Sequence, residues 1–125
     1  MKTRLALLCL LGLAACSAAP RGSMRSSNLI TREELELVQV ASAFDAVQRL
    51  RPQWMSRPLA PTGQPGSNPI LVYVDRHQVG TVEELRHLTV DQIEVMEFVS
   101  AADATTRYGT GHASGIIEVT TRRGR

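Results

Sequence analysis

Cysteine is almost absent from this chain. There are two, Cys9 and Cys16, and Cys9 lies in an apolar leader that processing removes. A single remaining thiol excludes an intramolecular disulfide framework, a four-cysteine zinc site and a thiol-relay enzyme. A long hydrophobic run is also missing. The apolar core of the leader, residues 5–13, has nine residues, whereas a membrane-spanning helix needs ~20. Nor is there an excess of one charge. The net charge of +2 comes from Lys2 and Arg4, and the other 12 basic residues, all arginine, face 12 Asp and Glu. Basicity therefore gives no argument for nucleic acid as a partner. Histidines at metal-ligand spacing are lacking as well. His77, His87 and His112 stand apart with no cysteine beside them, so no zinc site is expected and all three rings are predicted to be solvated.

What is present starts with a processing signal. Lys2 and Arg4 precede the short apolar core, as in a secretory signal peptide. Leu13-Ala14-Ala15-Cys16 resembles a bacterial lipobox. That resemblance implies a lipoprotein signal peptide over residues 1–15 and lipidation, including palmitate, at Cys16. Three acyl chains would hold the protein on a membrane essentially permanently. Ser17 rather than aspartate follows the cysteine, which implies an outer-membrane destination facing the periplasm. Residues 16–27 are small and polar and read as a lipidated flexible tether. Residues 28–125 have the size of one small domain.

Within that domain, Asn28-Leu29-Ile30 predicts a short strand, and Thr31 with Glu34 has the capping-box spacing that starts a helix. A second helix follows Ser42, with Phe44, Val47 and Leu50 as its buried stripe, and Pro52 stops it. Trp54 and Met55 read as a short extended piece packed on a sheet. Residues 57–69 hold four prolines and two glycines, which predicts a surface loop. Ile70 to Val74 is the clearest strand, apolar enough to be covered on both faces. A turn over Asp75 to Gln78, followed by a brief return strand at Val79, leads to a third capped helix, Thr81 to Leu88. Ile93 to Phe98 reads as a strand with Ile93 and Val95 on one face. Ser100 caps a short helix over 101–108, and Gly109 is expected to end it in the left-handed conformation. A last strand runs from Gly115 to Thr121. The spacing of the last two strands suits a parallel crossover, with a mixed sheet as the alternative.

The most active-looking chemistry is Tyr108-Gly109-Thr110-Gly111-His112-Ala113-Ser114-Gly115. A phosphate loop would lead into a helix N-terminus, where free N–H groups hold the anion. This loop leaves a helix C-terminus instead. A serine nucleophile at Ser114 departs from the strand–turn–helix context of a nucleophile elbow. The glycines are better read as a helix-to-strand joint. Paired carboxylates for acid–base chemistry lack the concave apolar pocket that would tune them.

Three blocks resemble the plug domain of TonB-dependent outer-membrane receptors. Residues 30–35 (ITREEL) with 42–50 (SAFDAVQRL) are similar to its opening segments. Residues 69–75 (PILVYVD) are similar to the plug strand P-L-V-V-V-D-G. Residues 91–98, 104–109 and 115–122 are similar to D-I-E-S-I-E-V, A-A-L-Y-G and G-V-I-L-I-T-T-K. The resemblance covers about residues 28–124 and implies a plug-like α+β fold, a small mixed sheet with three to four short helices. Arg76 stands where the family has glycine, which predicts a looser turn after Asp75. The family's receptors continue into a β-barrel and this chain does not, so the resemblance implies the fold rather than transport.

The expected function is a non-catalytic accessory or interaction module of the cell envelope, without cofactor or metal. Its natural partner is an outer-membrane β-barrel or another envelope protein. The expected contact residues are Asp75 and Arg76 on one turn and Tyr108, Gly109, Thr110, Gly111 and His112 on the joint. A periplasmic small-ligand-binding module associated with outer-membrane uptake is the alternative, and a hydrolase using Ser114 and His112 the weakest reading.

Overall fold

The computed structural model describes residues 26–56 and 69–123. Cys16, the preceding signal segment, the tether as far as residue 25 and the proline-rich stretch as far as residue 68 lie outside the described residues.

Capping fixes where the helices begin. Helix α1 (Arg32–Val38) follows Thr31, whose N–H donates to Glu34 Oε2 at 3.3 Å. Helix α2 (Ala43–Leu50) starts with Ser42 Oγ accepting from the Asp45 N–H at 3.2 Å. Ser100 does the same for Asp103, also at 3.2 Å, and opens α3 (Ala101–Tyr108). Each of these caps satisfies an N–H that the helix leaves unpaired. The fourth expected cap fails. Thr81 makes no side-chain cap, and Val82–His87 is a 3₁₀ run rather than an α-helix. The Glu84 side chain packs against Gly80, where a Cβ would lie only 2.7 Å from Glu84 Cγ.

Five strands form one mixed sheet: β1 (Leu29–Ile30), β2 (Leu71–Val74), β3 (His77–Thr81), β4 (Ile93–Val99) and β5 (Ile116–Thr121), in the order β1-β4-β5-β2-β3. The fold is thus a small α+β domain. Only β2 and β5 are parallel. Strands β4 and β5, whose spacing suited a parallel crossover, are antiparallel neighbours with Val99 opposite Ile116 and Ile93 opposite Thr121. The reason is length. Helix α3 has eight residues, about 12 Å at 1.5 Å per residue, and the loop after it returns the chain to the end of β4 where it began. A bulge between Ile93 and Val95 shifts the alternation, so Ile93, Met96 and Phe98 join the main core and Val95 does not share their face.

The β2–β3 hairpin overturns the looser turn expected from Arg76. Val74 pairs with His77, so Asp75 and Arg76 alone form the loop, at φ 47° and 71°. This is the tight geometry in which both central residues are left-handed. Asp75 holds it: its N–H donates to Val119 O at 2.9 Å, and its carboxylate accepts from Thr121 N–H at 2.9 Å and Thr121 Oγ1–H at 2.7 Å. A left-handed non-glycine residue costs about 1–2 kcal/mol, partly offset in glycine by its larger chain entropy. Arg76→Gly should therefore raise stability by about 0.5–1 kcal/mol. A higher urea midpoint at unchanged slope would show it.

The main core lies on one face of the sheet, where Ile30, Leu35, Val47, Val72, Leu85 and Met96 are buried. Burying each such side chain is worth about 1.5–3 kcal/mol. Trp54 is not on an extended piece. It sits in a 3₁₀ turn (Pro52–Met55) that Pro52 begins, and its Nε1–H donates to Ser27 O at 3.0 Å. Strand β2 is covered on both faces, because Tyr73 joins a second cluster with Val99, Ala104 and Ile116 under α3.

Arg51, which follows the last residue of α2, is buried. Its Nη2 reaches both Glu34 oxygens at 3.2 Å, Leu29 O at 2.9 Å and Ser26 O at 3.2 Å, and Nη1 donates to Leu50 O at 2.9 Å. Ser26 and Ser27, read as the end of the tether, are thereby fastened to the domain.

Candidate functional site

The two expected contact segments meet at one end of the sheet. The Asp75–Arg76 turn closes β2 and β3, and α3 ends at Tyr108 beside it. Arg76, Arg107, Tyr108 and Glu118 line a cleft of about 360 Å³ between them. Residue by residue the segments differ. Arg76, Gly109, Thr110 and Gly111 are exposed and Tyr108 is half-buried. Asp75 is committed to Thr121 and points its carboxylate into the sheet. Gly109 ends α3 at φ 88°, ψ −164°, a positive-φ, extended conformation open essentially to glycine alone, not the expected left-handed helical cap.

His112 reverses the expectation of three solvated histidines. His77 and His87 are exposed, but His112 is only 6 % exposed. Its Nδ1 lies 2.9 Å from Gly109 O, and a carbonyl can only accept, so Nδ1 carries the proton. Nε2 lies 2.8 Å from the Tyr73 hydroxyl, and in the neutral ring it accepts from that O–H. The imidazole therefore pins the joint to β2. Ring contacts complete the cluster, with Tyr73 and Tyr108 centroids 4.3 Å apart and the two rings tilted by 34°. With both ring nitrogens engaged, His112 is poorly placed to act as a base for Ser114, which is itself buried.

The cleft's polar groups form a second network that the sequence did not single out. Tyr108 O–H donates to Glu118 Oε1 at 2.8 Å. Arg107 lies 3.3 Å from Glu118 and 3.6 Å from Glu97. Arg76 forms no ion pair among the described residues. Burial, then the Glu118 hydrogen bond and charge, push the Tyr108 phenol up to about 12, against the opposing pull of Arg107 and Arg76. The phenol keeps its proton at neutral pH, and the cleft presents it beside the guanidinium groups of Arg76 and Arg107.

That shift has a sign that can be tested. The folded state holds the proton more tightly than the unfolded chain, whose phenol ionises near the usual 10.0. The stabilisation is fully present below pH 10 and is lost as pH rises through about 12. Tyrosinate absorbance should show one late-titrating tyrosine that disappears in Tyr108→Phe.

The pairing of Tyr73 with His112 was half legible. A tyrosine inside an aliphatic strand needs a partner for its hydroxyl, but 39 residues separate it from His112. The Arg107–Glu97–Glu118 set left no signal, since its members lie on α3, β4 and β5. No three His, Cys, Asp or Glu side chains gather at metal-binding distance among the described residues.

Comparison with known proteins gives no match: no family model, no curated protein and no solved structure is similar to this chain. The class of the protein is therefore that of its fold, a small α+β domain with a five-stranded mixed sheet and a polar cleft at one end.

Proposed function

We propose that this chain is a non-catalytic, lipid-anchored accessory protein of the outer membrane that works through protein contacts at the Arg76–Tyr108 end of a plug-like domain. The observation that carries the reading is the convergence of the hairpin tip and the α3 end on one cleft, with Arg76 in no ion pair among the described residues and Thr110 exposed at its margins. A firmly protonated Tyr108 and a His112 with both nitrogens engaged support recognition over chemistry. The lipobox at Leu13 to Cys16 supports the anchor, and the three sequence blocks support the plug-like comparison. A β-barrel of the outer membrane is the partner class those blocks suggest.

Photo-crosslinkers at Arg76 and Thr110 in intact cells test the contact. An outer-membrane protein captured from both positions, and not from a crosslinker at exposed Arg49 on α2, is the expected result; recovery of monomer alone overturns it. The anchor is tested separately by growth with labelled palmitate, which should mark the wild type and leave Cys16→Ala unlabelled.

A further inference from the structure

The two edges of the sheet are finished differently. At the β4 edge, β1 pairs with Met96 and Glu97, and Asn28 O accepts the Phe98 N–H at 2.9 Å. The Arg32 guanidinium covers the carbonyls of Val90 and Ile93 at 2.8 and 3.1 Å. At the other edge, β3 has β2 as its only strand neighbour among the described residues, and His77, Gln78 and Val79 are exposed. Val79 is 46 % exposed, one of two large apolar side chains so placed among the described residues. Beyond the C-terminal end of β3, a groove of about 350 Å³ opens, with Phe44, Met55, Ile70 and Val82 as apolar walls.

We infer that the β3 edge and this groove together form a strand-addition site for an extended segment of a partner protein. The unpaired side of β3 supplies main-chain hydrogen bonds, and Val79 and the groove read alternate side chains of the added strand. Charge defines the segment further. Glu83 borders the groove and pairs with Arg86 at 2.9 Å, and Arg86 lies over the Phe44 ring; Glu84, against Gly80, leaves this end with one negative charge in excess, whereas exposed Arg76 stands at the other end of β3. A complementary segment carries a basic residue beside its apolar anchor and an acidic residue about one strand-length away.

A second copy of this chain fits less well. The register shift between Val72 and Tyr73 makes Val79 an extra residue in β3. Such a bulge twists an edge and works against rigid edge-to-edge pairing. An unstructured peptide can follow the twist. The surface shares only Arg76 with the Tyr108 cleft, so this inference does not rest on contacts at that cleft.

The test uses the full chain in neutral detergent, titrated with the acetylated, amidated heptapeptide KLTVTVE and its charge-reversed twin ELTVTVK. One of the two should bind, its identity giving the strand direction. Val79→Lys, which places a charge on the edge without touching the core, should weaken binding about tenfold or more. Methylating every second peptide amide should abolish binding in one frame and spare it in the other, since a strand donates to its neighbour from alternate residues. The inference is overturned if neither heptapeptide binds, if Val79→Lys binds as tightly as wild type, or if both methylation frames behave alike. A dimer that Val79→Lys dissociates, with no peptide binding, would assign the edge to a second copy instead.

Discussion

Replacing Arg51 with methionine should lower the unfolding free energy by about 3–5 kcal/mol, the usual cost of removing one partner of a buried ion pair. The Arg51 and Glu34 side chains are 9 % and 12 % exposed, so the change removes a buried charge partner from a carboxylate with little water around it. It also leaves the carbonyls of Ser26, Leu29 and Leu50 without their donor. Small domains are stable by about 5–15 kcal/mol in total, so the loss is a large share. The double change Arg51→Met with Glu34→Gln should recover part of it, because the buried charge that lost its Arg51 partner is gone. Urea unfolding of the two variants measures the difference, and equal midpoints would sink the idea. Arg51 Nε is itself buried without a partner, so the site is not optimised for stability. Its geometry ties the first described residues, α1 and the end of α2 into one piece.

Gly115→Ala is expected to cost about 3–4 kcal/mol, combining left-handed strain with forced overpacking. Gly115 sits at φ 76°, and a Cβ there would lie 2.7 Å from Val99 O and 2.9 Å from Phe98 Cζ. Val99 O is backbone in the paired end of β4, so it cannot rotate out of the way. Gly111→Ala is the control: at φ 103° it has nothing within 4 Å of the added carbon, and only the conformational term of about 1–2 kcal/mol applies. Comparable thermal shifts for the two variants would refute the packing argument. The glycines of this joint thus act differently. Gly115 permits close approach of β5 to β4, whereas Gly111 permits only a bend.

Much of the local structure was legible because its causes are local. Thr31, Ser42 and Ser100 each open a helix, since an acidic residue or a free N–H three positions on lies within reach whatever the rest of the chain does. Pro52 ends α2, and the run from Ile70 to Val74 forms a strand buried on both faces. Thr81 shows the limit of such reasoning. It has the same spacing to Glu84, but the side chain of Glu84 is drawn against Gly80 by the path of β3. The joint at residues 109–115 was legible as a joint, and its chemistry was not. Whether His112 is solvated depends on a tyrosine from another strand.

By itself the sequence determined the α+β class, the starts of the α-helices, the strand runs and the structural nature of the glycine-rich joint. Each follows from residues within a few positions of one another. Only the tertiary structure decided that β4 and β5 are antiparallel, that Asp75 makes a tight turn tolerable for Arg76, and that Arg51 and His112 are buried. It also decided that Arg76 and Tyr108 share a cleft and that β3 is left at an open edge. Those outcomes depend on which elements become neighbours. Burial and pairing of a polar group are set by partners brought close in space, and separations such as the 39 residues between Tyr73 and His112 carry no local trace of them.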